Sequence, residues 1–106
     1  IKIYKKVLMQ QDSNKLAQFL KEKRTQSGLS QKDVATKLGY STSQFISNWE
    51  RGISQPPINT LRTLASMYNV VAEQMFNVLL EETMIQVQAD LKKKFYAESE
   101  APAQTA

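Results

Sequence analysis

Four side chains able to donate and accept hydrogen bonds, Ser43, Gln44, Ser47 and Asn48, stand close together in the chain, and Arg51 follows shortly after. On a helix, at about 100° per residue, Ser43, Ser47 and Arg51 share one side with Gln44 and Asn48 beside them, while Thr42, Ile46 and Trp49 take the opposite arc. A primary amide donates and accepts at once, which matches the N6 and N7 edge of adenine in a DNA major groove. A serine hydroxyl can pair with almost any base. The stretch has the chemistry of a nucleic-acid reader or, read more plainly, of a polar helix face turned to water.

Catalytic chemistry is poorly supplied. The chain contains neither Cys nor His, which removes thiolate nucleophiles, imidazole bases and the nitrogen and sulfur ligands of zinc sites. The carboxylates Glu22, Asp33, Glu50 and Glu73 show no clustering by spacing, and no nucleophile with its base can be assembled. The expectation is a protein that is not an enzyme, with no metal, no cofactor and no small-molecule substrate.

The polar arc needs elements to hold it, and the punctuation of the chain outlines them. There are three glycines, each directly after a segment of helical periodicity, so Gly28, Gly39 and Gly52 read as C-terminal helix caps. Ahead of Gly28, Leu16, Phe19 and Leu20 recur at helical spacing, with Asp12, Ser13 or Asn14 as the cap. Ser30 and Asp33 have the spacing of a capping box, and Val34, Ala35 and Leu38 form the inward stripe of a second helix. Ser41 and Gln44 make another cap-like pair, opening a third helix over 42–51 that turns Ile46 and Trp49 inward with Phe45 flanking the core. In that arrangement Gln44 bonds either back to Ser41 or outward to a base.

Two consecutive prolines, Pro56 and Pro57, keep 53–57 as a loop. A fourth helix then carries Ile58, Leu61, Leu64, Ala65 and Tyr68 on one face, and a fifth continues with Met75, Phe76, Leu79 and Leu80. The fold class is all-α. A length of 106 residues allows one domain with appendages. The formal net charge of +4 suits a polyanionic partner. No apolar run reaches membrane-spanning length, and the opening segment alternates Lys with apolar residues where a signal peptide needs a continuous apolar core. A cytoplasmic protein without membrane contact is expected.

The run Gly28-Leu-Ser-Gln-Lys-Asp-Val-Ala, then Leu38-Gly39, then Phe45-Ile-Ser-Asn-Trp-Glu-Arg-Gly52, closely resembles the Cro and phage-repressor (Xre-like) helix-turn-helix family. The likeness covers residues 13–80, since the fourth helix and Tyr68-Asn-Val also fit. It implies a five-helix lambda-repressor-like DNA-binding domain that binds operator double-stranded DNA as a symmetric homodimer, here with an extended C-terminal amphipathic helix. The spacing from Gly39 to Trp49 is one residue longer than in the shortest phage repressors, with Tyr40 as the insertion, and this bears on the register of base contacts.

The resemblance makes Ser43, Gln44, Ser47 and Asn48 the base contacts. Phosphate contacts come from the edges of the motif, where backbone N–H groups and amides meet anions: Gln31 by resemblance, with Lys32, Lys37, Arg51 and Ser54 and the backbone near Ile53 as companions. Arg24 and Glu50 resemble a family ion pair that joins the end of the first helix to the end of the third, behind the DNA-facing surface.

The chain thus divides into a basic arm over 1–12, the DNA-binding domain over 13–80, a helix over 81–98 and a small polar tail over 99–106 expected to be disordered. Leu80, Met84, Val87, Leu91 and Phe95 keep a three-to-four spacing past the point where a five-helix domain closes, which motivates a homodimer interface along this stripe. The same segment leaves open a protein partner, as in the antitoxin half of a toxin–antitoxin pair, or an interaction module on this fold that has lost DNA binding. Acidic residues on the reading face would favour that last reading, and none occurs from Ser41 to Asn48.

Overall fold

The computed structural model describes residues 14–97. The basic arm at 1–12, the tail at 99–106 and the cap candidates Asp12 and Ser13 lie outside the described residues. Among those described there are five helices and no strand: α1 (Lys15–Gln26), α2 (Gln31–Leu38), α3 (Gln44–Glu50), α4 (Ile58–Met67) and α5 (Ala72–Ala97). Asn14 to Leu80 form one compact unit, and residues 81–97 belong to a second.

The first unit is built by local signals that agree with its packing. Asn14 starts α1 without a side-chain cap bond, and Leu16, Ala17 and Leu20 turn inward while Lys23 and Arg24 sit in the last turn, where cations favour the helix dipole. At the head of α2 the Asp33 N–H donates to Ser30 Oγ and the Ser30 N–H donates to Asp33 Oδ2, both at 2.9 Å. This reciprocal pair satisfies two donors that a helix start leaves open. Gly39 ends α2 with φ +85°, a left-handed conformation that costs glycine little and other residues more. The chain therefore turns sharply between α2 and α3.

Leu20, Val34, Ile46 and Leu64, one from each of α1 to α4, are the most deeply buried large side chains. Trp49, Leu61, Tyr68, Val70 and Met75 complete the core around them. Ser27 Oγ donates to the Tyr68 carbonyl at 3.0 Å, joining the end of α1 to the end of α4. Asn69, with φ 57°, carries the chain from α4 into α5 and belongs to the residue type that best tolerates this conformation after glycine.

The apolar faces expected for α4 and α5 are shallower than their periodicity suggests. Ile58 and Phe76 are 69% and 56% exposed, and Leu80 is also exposed. Met75 alone in the first turns of α5 is deeply buried, so its neighbour Phe76 is rotated outward. Ile58 and Phe76 instead border an apolar groove of about 250 Å³ between α4 and α5, floored by Leu61, Ala65 and Met75. In the segment after Leu80, Met84, Val87, Leu91 and Phe95 are all exposed. No helix of the described residues is long and apolar enough to cross a membrane.

Candidate nucleic-acid interface

The helix that carries the polar arc is short. It runs from Gln44 to Glu50, seven residues, with Ser43 at its N-cap position and Arg51 at its C-cap position. The expected span of 42–51 is thus trimmed at both ends. The cap expected from Ser41 is not formed, and the N-cap residue Ser43 makes no side-chain cap bond; the Gln44 N–H donates to Thr42 Oγ1 at 3.2 Å. Gln44 is consequently the first helical residue and stands too early to be the third member of a capping box. Its side chain bonds forward instead, with Nε2 donating to Asn48 Oδ1 at 3.0 Å.

The inward arc holds this helix to the domain. Ile46 and Trp49 are buried at 1% and 4% exposure, while Ser43, Ser47 and Asn48 are half-buried and Gln44 and Arg51 are exposed. Phe45, expected to flank the core, is 53% exposed. It lies on the surface against Tyr40, with ring centroids 4.8 Å apart. Tyr40 also meets Trp49 edge-on at 6.1 Å. Tyr40 thus links Phe45 to the buried Trp49 in an aromatic cluster, in which such tilted and edge contacts are favourable.

A charged cluster joins α3 to α1 and α2. Arg24 Nε donates to Glu50 Oε2 at 2.6 Å and Arg24 Nη2 to Glu50 Oε1 at 3.0 Å, a two-point grip, while Nη1 donates to the Leu29 carbonyl at 2.7 Å. The side chains of Arg24 and Glu50 are 12% and 3% exposed. Hydrogen bonding to Glu50 raises the Arg24 pKa further above its ordinary value, against an opposing effect of burial. Burial, reinforced by the Glu50 charge, likewise pushes the Tyr68 phenol up. Gln31 joins the cluster: its Nε2 donates to Glu50 Oε1 at 3.0 Å. Sequence reasoning placed Gln31 at the phosphates and missed this link, because a contact between residues 19 apart depends on the angle between α2 and α3.

The other expected phosphate contacts are dispersed around the motif. Lys32 and Lys37 are exposed on α2, and Arg51 and Ser54 are exposed at and after the end of α3. The N–H groups of Ile53 and Ser54 both donate to the Asn48 carbonyl, at 2.9 and 3.4 Å, so the backbone after α3 folds back onto that helix. Of the expected dimer-interface residues, Leu80 ends the first unit, and Met84, Val87, Leu91 and Phe95 belong to the second. Among the described residues no three His, Cys, Asp or Glu side chains stand together as a metal site.

Two helices joined by a sharp turn, the second with one buried and one polar arc, are a helix-turn-helix. The helix-turn-helix family matches residues 20–73, about half of the chain. The protein belongs to this Xre-like family of DNA-binding domains. It is 37% identical over 60 residues to the HTH-type transcriptional regulator ImmR of Bacillus subtilis (strain 168), a match that covers 57% of this chain and 46% of that protein. The chain therefore spans less than half the length of this relative. No solved structure matches it.

Proposed function

We propose that this chain is a sequence-specific, double-stranded DNA-binding transcriptional regulator, a repressor that binds a near-palindromic operator as a homodimer with α3 in the major groove. The observation that carries the reading is the two-sided character of α3. Ile46 and Trp49 fix one side in the core, and the amide pair Gln44 and Asn48, with Ser43 and Ser47, occupies the other. A helix presented in this way has the size and hydrogen-bonding groups to enter a major groove and contact base edges. The likeness to a transcriptional regulator supports the same reading. The exposed stripe Leu80, Met84, Val87, Leu91 and Phe95 supports self-association, and two-fold symmetry sets half-site centres about one helical turn, roughly 34 Å, apart.

Lys32, Lys37, Arg51 and Ser54 serve the phosphates in this reading. Gln31 serves both sides, since an amide nitrogen bonded to Glu50 retains a second hydrogen. The test is selection of bound sequences from a random duplex pool, followed by salt titration on the selected site. A palindromic motif and a steep salt dependence are expected, because neutralised phosphates release counterions. Lys37→Ala should weaken all sequences equally and flatten the salt slope by about one unit. Binding that ignores salt, or no duplex binding at all, would favour an interaction module on this fold.

A further inference from the structure

The described part of the second unit, residues 81–97, is a stretch of one helix, α5, and its two sides differ in exposure. Met84, Val87, Leu91 and Phe95 are between 51% and 73% exposed, as uncovered side chains of a helix are. Glu82 is only 8% exposed, and Ile85, Ala89 and Lys92 are half-buried. These four recur at spacings of three, four and three, and at about 100° per residue they share one face, away from the exposed stripe. A helix cannot shelter one of its own faces, so another part of the chain lies against this one.

Charge and apolar content narrow the choice of cover. The sheltered face opens on Glu82, with Glu81 beside it, and continues through Ile85 and Ala89 to Lys92, whose long stem can itself lie along apolar surface. A cover that is basic and apolar fits it. Residues 98–106 carry Glu98 and Glu100 and, Pro102 aside, no apolar side chain larger than alanine, so their charge has the wrong sign and they offer little to bury. Residues 1–9 carry Lys2, Lys5 and Lys6, and no acid precedes Asp12. Between the lysines, Ile1, Tyr4 and Leu8, with Ile3 and Val7, keep the three-to-four spacing of an amphipathic helix. Nine residues at helical rise would run about 13 Å, close to the roughly 15 Å from Glu82 to Lys92.

We propose that residues 1–9 are an intramolecular strap for the second unit, laying their apolar side chains over Ile85 and Ala89 and setting their lysines against Glu81 and Glu82. The basic segment is then engaged by the chain's own helix and takes no part in holding DNA. The stripe from Met84 to Phe95 is the face that the strap leaves open to a second copy.

The chain has no Cys, so one introduced thiol is the only one, and its alkylation rate follows its exposure. The experiment places Ala89→Cys in the full chain, with Asp90→Cys, at the exposed next position, as reference. Ala89→Cys should react several-fold more slowly than Asp90→Cys. Adding Val7→Asp should bring the two rates together, while adding Val7→Leu should leave Ala89→Cys slow. Reversing the three charges, Lys2→Glu, Lys5→Glu and Lys6→Glu, should also speed Ala89→Cys, because it sets like charges against Glu81 and Glu82. Emission from Trp49, buried in the core of the first unit, reports that this unit stays folded in each variant.

Slow alkylation of Ala89→Cys that survives Val7→Asp in a folded chain would overturn the proposal and assign the cover to another part of the protein. Protection that disappears on dilution, without any substitution in residues 1–9, would overturn it as well, since the cover would then come from a second copy. Should Val7→Asp unfold the first unit, the charge-reversed chain decides alone: a rate that stays slow there removes the strap.

Discussion

Glu50, the last residue of α3, is held by two nitrogens of Arg24 from α1, and one of its oxygens also accepts from Gln31 at the head of α2. Three helices thus meet on one carboxylate that is almost shielded from water. Removing one partner strands the other charge in a poorly solvated place. Arg24→Met should destabilise the domain by about 3 to 5 kcal/mol. The double variant Arg24→Met with Glu50→Leu should recover much of that loss, because an apolar pair carries no desolvation penalty. Urea unfolding at neutral pH measures both, and a single-variant loss under about 1 kcal/mol, the range of exposed pairs, would contradict a buried role.

The capping box predicts a specific acid sensitivity. The Ser30 backbone N–H, with help from the Ser30 hydroxyl, holds the Asp33 carboxyl below its ordinary value of 3.8. Because the folded-state pKa is lowered, the unfolded chain takes up this proton first. The associated stability is complete above the unfolded-state pKa and fades as pH falls through the folded-state one. Asp33→Asn should therefore reduce stability at neutral pH and flatten the acid limb of the unfolding curve. Ser30→Ala removes the hydroxyl cap and should cost about 1 kcal/mol at neutral pH. A variant Asp33→Asn whose acid limb matches that of the unsubstituted protein would remove the carboxylate from this account.

Gly39 sets the turn between α2 and α3. A Cβ at this position would meet no atom within 4 Å, so space is not the constraint. The constraint is φ +85°, which disfavours side chains in general and asparagine least. Gly39→Ala should cost about 1 to 2 kcal/mol, and Gly39→Asn less. Thermal unfolding of the two variants gives the order directly, and equal losses would point to crowding in place of backbone conformation.

The exposed stripe of the C-terminal segment predicts an association equilibrium. Leu91, between Asp90 and Lys92, is 62% exposed, and Phe95, whose ring meets Tyr96 edge-on, is 73% exposed. If the stripe joins two copies, Leu91→Asp should shift sedimentation to the monomer and weaken binding to a two-half-site duplex far more than to a single half-site. A Leu91→Asp protein that stays dimeric at low concentration rules out this interface.

What could be read from the sequence was what depends on residues a few positions apart. Ser30 with Asp33, the left-handed glycines and the inward spacing of Ile46 and Trp49 are all local, and the helices follow from them. Burial depth was less legible. Periodicity assigns Phe45, Ile58 and Phe76 to an apolar side but cannot say whether another helix covers them; all three are exposed, while Ile46, Leu61 and Met75 nearby are buried. The start of α3 fell at Gln44, two residues later than expected, in a turn where the Tyr40 ring packs on Phe45 and Trp49, contacts that spacing alone does not foretell. The Gln31 to Glu50 link is set by the crossing of two helices and has no local signature. The Gln44 to Asn48 bond did have one: a four-residue separation on a helix brings side chains together.

If α3 is the reader proposed above, its seven residues also tie reading to melting. A helix this short lies well below the roughly 12 to 15 residues that even good isolated helices need in water, so it exists only while Ile46 and Trp49 remain in the core. Heat that loosens the core therefore abolishes recognition in the same step, without an intermediate that is folded but blind. The relation runs in both directions: a ligand that binds only the folded chain stabilises it by mass action, by about 2.7 kcal/mol at 100 times its dissociation constant, and so raises its midpoint. For this protein a matched duplex would act as a thermal buffer, and the melting temperature in its presence would report how well each operator fits.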